Sequence, residues 1–391
     1  MKHQEGSDQT IAEVAEGTVT SPPLLAGYTY RPEEAYAARD AGRLLAIRLE
    51  TNRSCNLNCR YCYAQSGQSL QDENDYGTLC DIIRQAADLG VKSVVVIGGG
   101  EPTLYPRFRD LISFIHSLEI VPMIFTNCVK VTEDLAQFLH DRRATVMGKL
   151  DSLKPEVQDF LAGQNGAYDR IHRGLDNLLE AGFGEPEDPG ELRLGASFVS
   201  CRMNLSEIAD IWHYCRQSNI FPNMEVLTPT GRANETLPDQ GLETDEIMDY
   251  KLKMLDIDRK HYGYDWLPYT PLAGSGCLQH LYSLYVTIEG NVRPCAPTKF
   301  DEHPDLNVDG QYPHNIRRSN LEEIHNSALF QFVRHIDSHL EGRCKGCQHL
   351  DQCIGCRGYA YSVGVNEGKS PREALRMGCL QCNKETESTE R

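Results

Sequence analysis

The sequence lacks the marks of a membrane-spanning or exported chain. No apolar run in its 391 residues approaches the roughly 18 that a membrane span needs. The N-terminus, MKHQEGSDQT, has no apolar segment of a secretory signal. Basic charge is scarce: 39 Lys and Arg face 56 Asp and Glu, which leaves −17. Such a field repels phosphate backbones, so neither a nucleic acid nor an anionic membrane is an expected partner. The 13 histidines show no ligand spacing. What remains is a chain of ordinary hydrophobic (40%) and charged (24%) content, long enough for two or three domains and a sizeable core. These properties predict a soluble, cytoplasmic protein.

Cysteine, by contrast, is abundant. There are 15, and a reducing cytosol makes metal binding a better explanation for them than disulfides. Cys55, Cys59 and Cys62 form one group, and eight more lie from Cys277 to Cys382. Only Cys80, Cys128, Cys201 and Cys215 stand apart. Cys80 and Cys215 fall in expected helices and read as buried structural thiols. Cys128 and Cys201 fall at strand ends, where each is either a small apolar filler or a thiol facing the rim.

Residues 1–25 are polar and aperiodic and are expected to form a mobile arm. From Leu44 onward, short apolar or β-branched runs alternate with helical spacing. The runs at 45–50, 94–97, 121–125, 145–150, 192–199 and 224–227 read as strands. Tyr76–Leu89, Phe108–Leu118, Ile171–Leu179 and Ile208–Cys215 read as amphipathic helices. About six βαβ units predict an α/β fold over 26–238 with a parallel sheet, either doubly wound or two units short of an eight-fold barrel. The glycine run at 98–100 is unspaced and lacks the dinucleotide fingerprint. Residues 239–276 read as a linking region. A small cysteine-rich α+β region follows over 277–382, with a hairpin around Glu289-Gly290-Asn291 and one long helix near 321–340. Residues 383–391 are a tail.

The cysteine loop comes just after the first strand. Gaps of three and two residues let one loop present three thiolates to one iron–sulfur cube, leaving one iron open for chemistry. The same spacing also suits three ligands of a structural zinc. Gly98-Gly99-Gly100-Glu101-Pro102 ends the second strand on the same rim. Glycines there permit close backbone approach, and Glu101 offers a carboxylate to a cationic amino group. Lys149 and Asp151 end the fourth strand as pocket polar groups or a simple ion pair.

CNLNCRYC, with Tyr61 as the aromatic before the third cysteine, followed by GGGEP, resembles the radical S-adenosylmethionine (SAM) superfamily. That resemblance implies a partial (β/α)6 TIM-like barrel and a [4Fe-4S] cluster on Cys55, Cys59 and Cys62. The open iron of that cluster would chelate SAM. It assigns Gly98 to Pro102, with Glu101 as a contact, to the methionine amino end. Thr126, Asn127 and Ser197 are placed near the ribose or carboxylate, and Pro229, Gly231 and Arg232 near the adenine.

The later cysteines, Cys277, Cys295, Cys344, Cys347, Cys353, Cys356, Cys379 and Cys382, together with Gly290, CIGCRGYAY at 353–361 and NLEEIHNSALFQFVR at 320–334, resemble the SPASM extension of that superfamily. The gap of two between Cys353 and Cys356, and the paired Cys379/Cys382, depart from its commoner pattern. Eight thiolates saturate two four-cysteine cubes, although the two CxxC pairs alone would also suit a zinc ribbon. By resemblance, Cys277, Cys295 and Cys356 hold the cluster nearer the barrel and Cys344, Cys347 and Cys353 the distal one. Cys379 and Cys382 add one ligand each.

The expected function is reductive cleavage of SAM to a 5′-deoxyadenosyl radical and hydrogen abstraction from an unactivated C–H bond. This would serve oxidative modification of a peptide or protein. A small-molecule dehydrogenase or epimerase, and an electron-transfer protein without catalysis, are the alternatives. Flavodoxin or ferredoxin is the expected electron donor.

Overall fold

The computed structural model describes residues 19–383. Six parallel strands run in chain order across one sheet: β1 (Ala46–Glu50), β2 (Ser93–Ile97), β3 (Val121–Thr126), β4 (Thr145–Lys149), β5 (Leu194–Ser200) and β6 (Phe221–Val226). Their near-continuous burial fits a parallel sheet covered by helices on its outer face. Each of the first five strands is followed by a helix of at least eight residues. Local chemistry sets where these begin. Asp75 Oδ1 accepts from Thr78 N at 2.7 Å and Thr132 Oγ1 from Leu135 N at 3.2 Å, while Pro155 opens the helix Pro155–Ala162. The helices Glu133–Asp141 and Pro155–Ala162 are additions to the sequence reading.

The sheet continues beyond these six strands. The hairpin of β7 (Ser283–Val286) and β8 (Val292–Arg293) adds to β1, with β7 parallel to it in the register Ala46↔Ser283 and Arg48↔Tyr285. Strand β1 therefore lies inside the sheet, and β8 and β6 are its edges. A segment expected to belong to the cysteine-rich region alone is part of the barrel wall.

Two expectations need correction. Residues 1–18 of the expected mobile arm lie outside the described residues, but the arm's last residues are built in. Leu24–Leu25 pairs in parallel with Glu191–Leu192, and Leu25 is fully buried, because its side chain finds a core position there. The long helix expected near 321–340 is broken into Leu321–Asn326, Ala328–Arg334 and a 3-10 turn at Ile336–His339. Ser327, at φ −63° and ψ 153°, leaves the helical region between the first two. Among the described residues, no helix is long and apolar enough to cross a membrane.

Candidate functional site

The C-terminal ends of β1 to β4 bring the expected site residues together, as the rim of a parallel barrel does. The cysteine loop is clamped from several sides. Asn52 Nδ2 donates to Ser54 O and Glu101 O at 2.9 and 3.1 Å, and Glu101 N donates to Ser54 O at 2.8 Å. Asn58 N and Arg60 N donate to Ala162 O and Leu161 O at 3.1 and 3.0 Å. Arg232 N donates to Cys62 O at 3.1 Å.

The glycine run packs on this loop. A Cβ on Gly100 would lie 2.1 Å from Ser54 O, and one on Gly99 would lie 3.0 Å from Glu50 Oε2. Its requirement for glycine thus comes first from the protein's own backbone. Gly231, at φ +59°, is pressed in the same way against Cys62 O, 2.6 Å from where a Cβ would stand.

Glu101 is 2% exposed, and its carboxylate is engaged within the protein. Oε1 accepts from Thr103 N (3.1 Å), Thr103 Oγ1 (2.7 Å) and Thr126 Oγ1 (2.7 Å), and Oε2 accepts from Asn127 N (2.8 Å). Burial pushes its pKa up, and these hydrogen bonds oppose that. The carboxylate ties the end of β2 to the end of β3, which makes Glu101 a positioning group for Asn127. Asn127 Nδ2 in turn donates to Asn56 Oδ1 at 2.8 Å and lies 4.0 Å from Cys55 Sγ. Ser197 sits deeper, between Lys149 and Asn223 in the sheet register, and accepts from Asn223 Nδ2 at 3.2 Å.

Tyr61 donates to Asp151 at 2.8 Å. The Lys149 ammonium contacts both groups and lies 4.4 Å from the centre of the Tyr61 ring. Asp151 is fully buried and also accepts from Val199 N at 3.2 Å. Of the two readings, the ion pair is the one built, and it fixes the aromatic ring beside Cys62. Tyr63, on the other side of Cys62, bonds to Tyr285 of β7 at 3.1 Å, and Tyr285 donates to Glu50 at 2.5 Å.

The three thiols have distinct surroundings. Burial raises Cys55, and it pushes Cys59 up to about 11 against the pull of the Lys149 ammonium. Burial also opposes ionisation of Cys62, but hydrogen bonds from Ser66 and the Arg232 guanidinium outweigh it and hold that thiol below its ordinary value.

Cys128 and Cys201 are buried close behind this rim, with Cys128 Sγ 3.8 Å from Thr126 O. Cys128 is fully buried, with its carbonyl 2.0 Å and its sulfur 2.7 Å from where Cβ atoms on Gly174 and Gly148 would stand. Cys201 is buried in a small cluster with Leu161, Leu227 and Leu237.

Seven of the eight C-terminal cysteines fall into two groups that meet at Cys379. Cys356 interacts first with Cys277 and Cys295, while Cys344 interacts with Cys379 and Cys382, and Cys353 with Cys379. Cys356 caps the helix Arg357–Asn366, its sulfur accepting from Tyr359 N at 3.3 Å. Cys344 Sγ accepts from Cys379 N at 3.1 Å, and Cys353 Sγ from Gly355 N at 3.3 Å.

Backbone N–H groups aimed at sulfur, and donor sets made only of thiols, suit iron–sulfur clusters. Among the described residues no three His, Cys, Asp or Glu side chains close on one point as ligands of a single ion would. A cube takes each thiolate on a different iron and does not require that closure.

The sequence model of the radical SAM superfamily matches residues 49–185. Those residues are a radical SAM domain. An iron–sulfur cluster-binding SPASM domain matches residues 277–348, so this radical SAM enzyme has auxiliary iron–sulfur clusters besides SAM and the cluster that SAM requires.

Among its relatives is mycofactocin maturase MftC of Mycobacterium tuberculosis, 27% identical over 353 residues, covering 87% of this chain and 84% of that one. Another is the AdoMet-dependent heme synthase of Methanosarcina barkeri, 24% identical over 84% of this chain and 94% of that one. The fold is similar to that of Streptococcus suis SuiB bound to S-adenosylmethionine, with a TM-score of 0.63, 17% identity, and coverage of 90% of this chain and 81% of that one. It is also similar to anSMEcpe with AdoMet and a peptide, with a TM-score of 0.60, 16% identity, and coverage of 81% and 90%.

Proposed function

We propose that this enzyme cleaves SAM at a cluster held by Cys55, Cys59 and Cys62 and oxidatively modifies a peptide or protein. The observation that carries the reading is the shared rim. The three-cysteine loop, the glycine run, Asn127 and Tyr61 are held on one rim by hydrogen bonds, with three thiols on the loop.

Bound there, cluster and SAM supply a 5′-deoxyadenosyl radical that takes hydrogen from an unactivated C–H bond. The chain's residues set the geometry. Glu101 holds Asn127, the Lys149–Asp151 pair holds Tyr61, and Arg232 sits beside Cys62. Gly98 to Pro102 are the candidate contacts for SAM's methionine amino end. Thr126 and Asn127, both engaged by Glu101, and Ser197, bonded to Asn223, are candidates for the ribose or carboxylate.

Anaerobic reconstitution with SAM and dithionite tests the reading, and intact chain that never yields 5′-deoxyadenosine would sink it.

The peptide substrate rests on relatives. MftC is a maturase, and the solved neighbours include SuiB with its precursor peptide SuiA and anSMEcpe with a peptide. The heme synthase and a probable GTP 3′,8-cyclase among the other relatives keep a small-molecule substrate as the second reading. A short precursor-peptide frame beside the gene would separate the two.

Two auxiliary cubes complete the proposal, the proximal one on Cys277, Cys295 and Cys356 and the distal one on Cys344, Cys347 and Cys353. Cys379 and Cys382 are shared between them, and flavodoxin or ferredoxin supplies the electrons in the cytoplasm. Oxidation is favoured over epimerisation because Cys128 and Cys201 are packed as core residues.

A further inference from the structure

Seven Lys and Arg side chains are buried among the described residues. Three have carboxylate partners: Lys149 with Asp151, Arg216 with Asp258 and Arg293 with Asp301. Arg334 rests on His325. The other three, Arg48, Lys251 and Arg357, form no ion pair. A lone buried charge costs several kcal/mol, so something must compensate all three.

Lys251 is 1% exposed, and its ammonium donates to Thr270 O at 2.7 Å. Its other charged surroundings are cysteines: Cys379, Cys353, Cys382 and Cys356. Arg357 is fully buried. Its Nη1 donates to Leu375 O and Met377 O at 2.7 Å, but Nε and Nη2 have no partner. Nη2 lies 2.6 Å and Cys379 Cβ 2.7 Å from where a Cβ on Gly355 would stand, and Cys344 feels the guanidinium.

Arg48 shares a row of the sheet with Tyr285 and Arg293, two residues before Cys295. Its guanidinium lies 5.4 Å from the Tyr28 ring centre, its Nε has no partner, and Cys295 and Cys277 are near. Glu225 feels Arg48 without pairing to it. His280, near both arginines, adds no further cation, because burial lowers its pKa to about 3 and leaves the ring neutral.

Three elements far apart in the chain thus deliver one uncompensated cation each to the cysteines, and four thiolates on a cube are the anion that fits. We propose that Lys251 and Arg357 are counter-cations of the distal auxiliary cluster and Arg48 of the proximal one, and that the extra cation holds the distal cluster at the higher reduction potential. A fixed positive charge favours the reduced, more negative cluster, and net charge is among the factors that set such potentials. Electrons arriving from the barrel would then run outward, from proximal to distal.

The inference rests on the two-cluster reading, and the test separates them. Iron content and EPR-monitored midpoint potentials are measured on the anaerobically reconstituted full chain, with the distal signal identified as the one lost in Cys347→Ser. A wild-type count near eight rather than about 12 irons would sink the two-cluster reading itself. With full iron, Lys251→Met should lower the distal potential more than the proximal one. Arg48→Gln should lower the proximal one alone, and Arg48→Lys should leave it near wild type. Full iron with unmoved potentials, or equal shifts in all three clusters, overturns the proposal. If Lys251→Met takes up no distal iron, Lys251→Arg decides. Recovery of iron and potential supports a charge role, and failure to recover them refutes it.

Discussion

At the barrel rim Lys149 meets Asp151 and Tyr61, and Glu101 meets Thr103, Thr126 and Asn127. In the C-terminal region Lys251 and Arg357 meet carbonyls but no carboxylate, and both ring nitrogens of His280 are without partners. The first set of charges is satisfied within the protein, while Asn56 Nδ2 and Arg232 Nε on the same rim are left without partners. The second is complete only with an anion added. Buried polar groups are satisfied in stable folds, so the difference separates a preformed site from one whose folding is coupled to metal uptake.

The largest effect expected on this contrast comes from the rim cysteines. Replacing Cys55, Cys59 and Cys62 together by Ala should abolish SAM cleavage and remove about four of about 12 irons, leaving the C-terminal clusters in place. Retained 5′-deoxyadenosine formation would mean that the catalytic site lies elsewhere.

Stripping iron by chelation sharpens the comparison next. Amides of 344–382 should lose hydrogen-exchange protection while β2 to β5 keep theirs, and uniform loss across both would erase the distinction.

Within the rim, Asp151→Asn leaves the Lys149 ammonium buried and unpaired, at about 3–5 kcal/mol by thermal or denaturant unfolding. The double change Lys149→Met/Asp151→Leu should cost less than that single one.

The smallest effect belongs to the spare thiols. Cys128→Ala and Cys201→Ala should each cost about 1 kcal/mol of stability and retain most product formation. Deuterium from D₂O appearing in product carbon, and lost in either variant, would instead identify a thiol hydrogen donor.

The barrel strands were legible because each is a short apolar run whose neighbours in the sheet come next in sequence. The rim cysteines were legible because one loop carries all three. The break at Ser327 was not, since apolar spacing continues through it from Ile324 to Phe330. Lys251 was hidden for a related reason. It stands among Ile247, Met254 and Leu255 on the buried side of the helix Thr244–Ile257, where helical spacing calls for an apolar residue. A cation at such a position was the available signal. The hydrogen bonds of Glu101 were not legible, because a sequence shows that a carboxylate is present but not that four N–H and O–H groups bond to it.

The pairing of Ala46 with Ser283 also bears on how the protein is born. During translation, β1 remains an open edge until nearly three quarters of the chain has left the ribosome, with the three-cysteine loop hanging from its end. Exposed edges of that kind invite pairing with other chains. A gene fragment stopping before Ser283 should therefore yield insoluble product rather than a minimal enzyme, which a solubility assay on residues 19–276 would show. Nascent chains need protection until the last wall strand arrives, and the first cluster is best inserted after synthesis is finished.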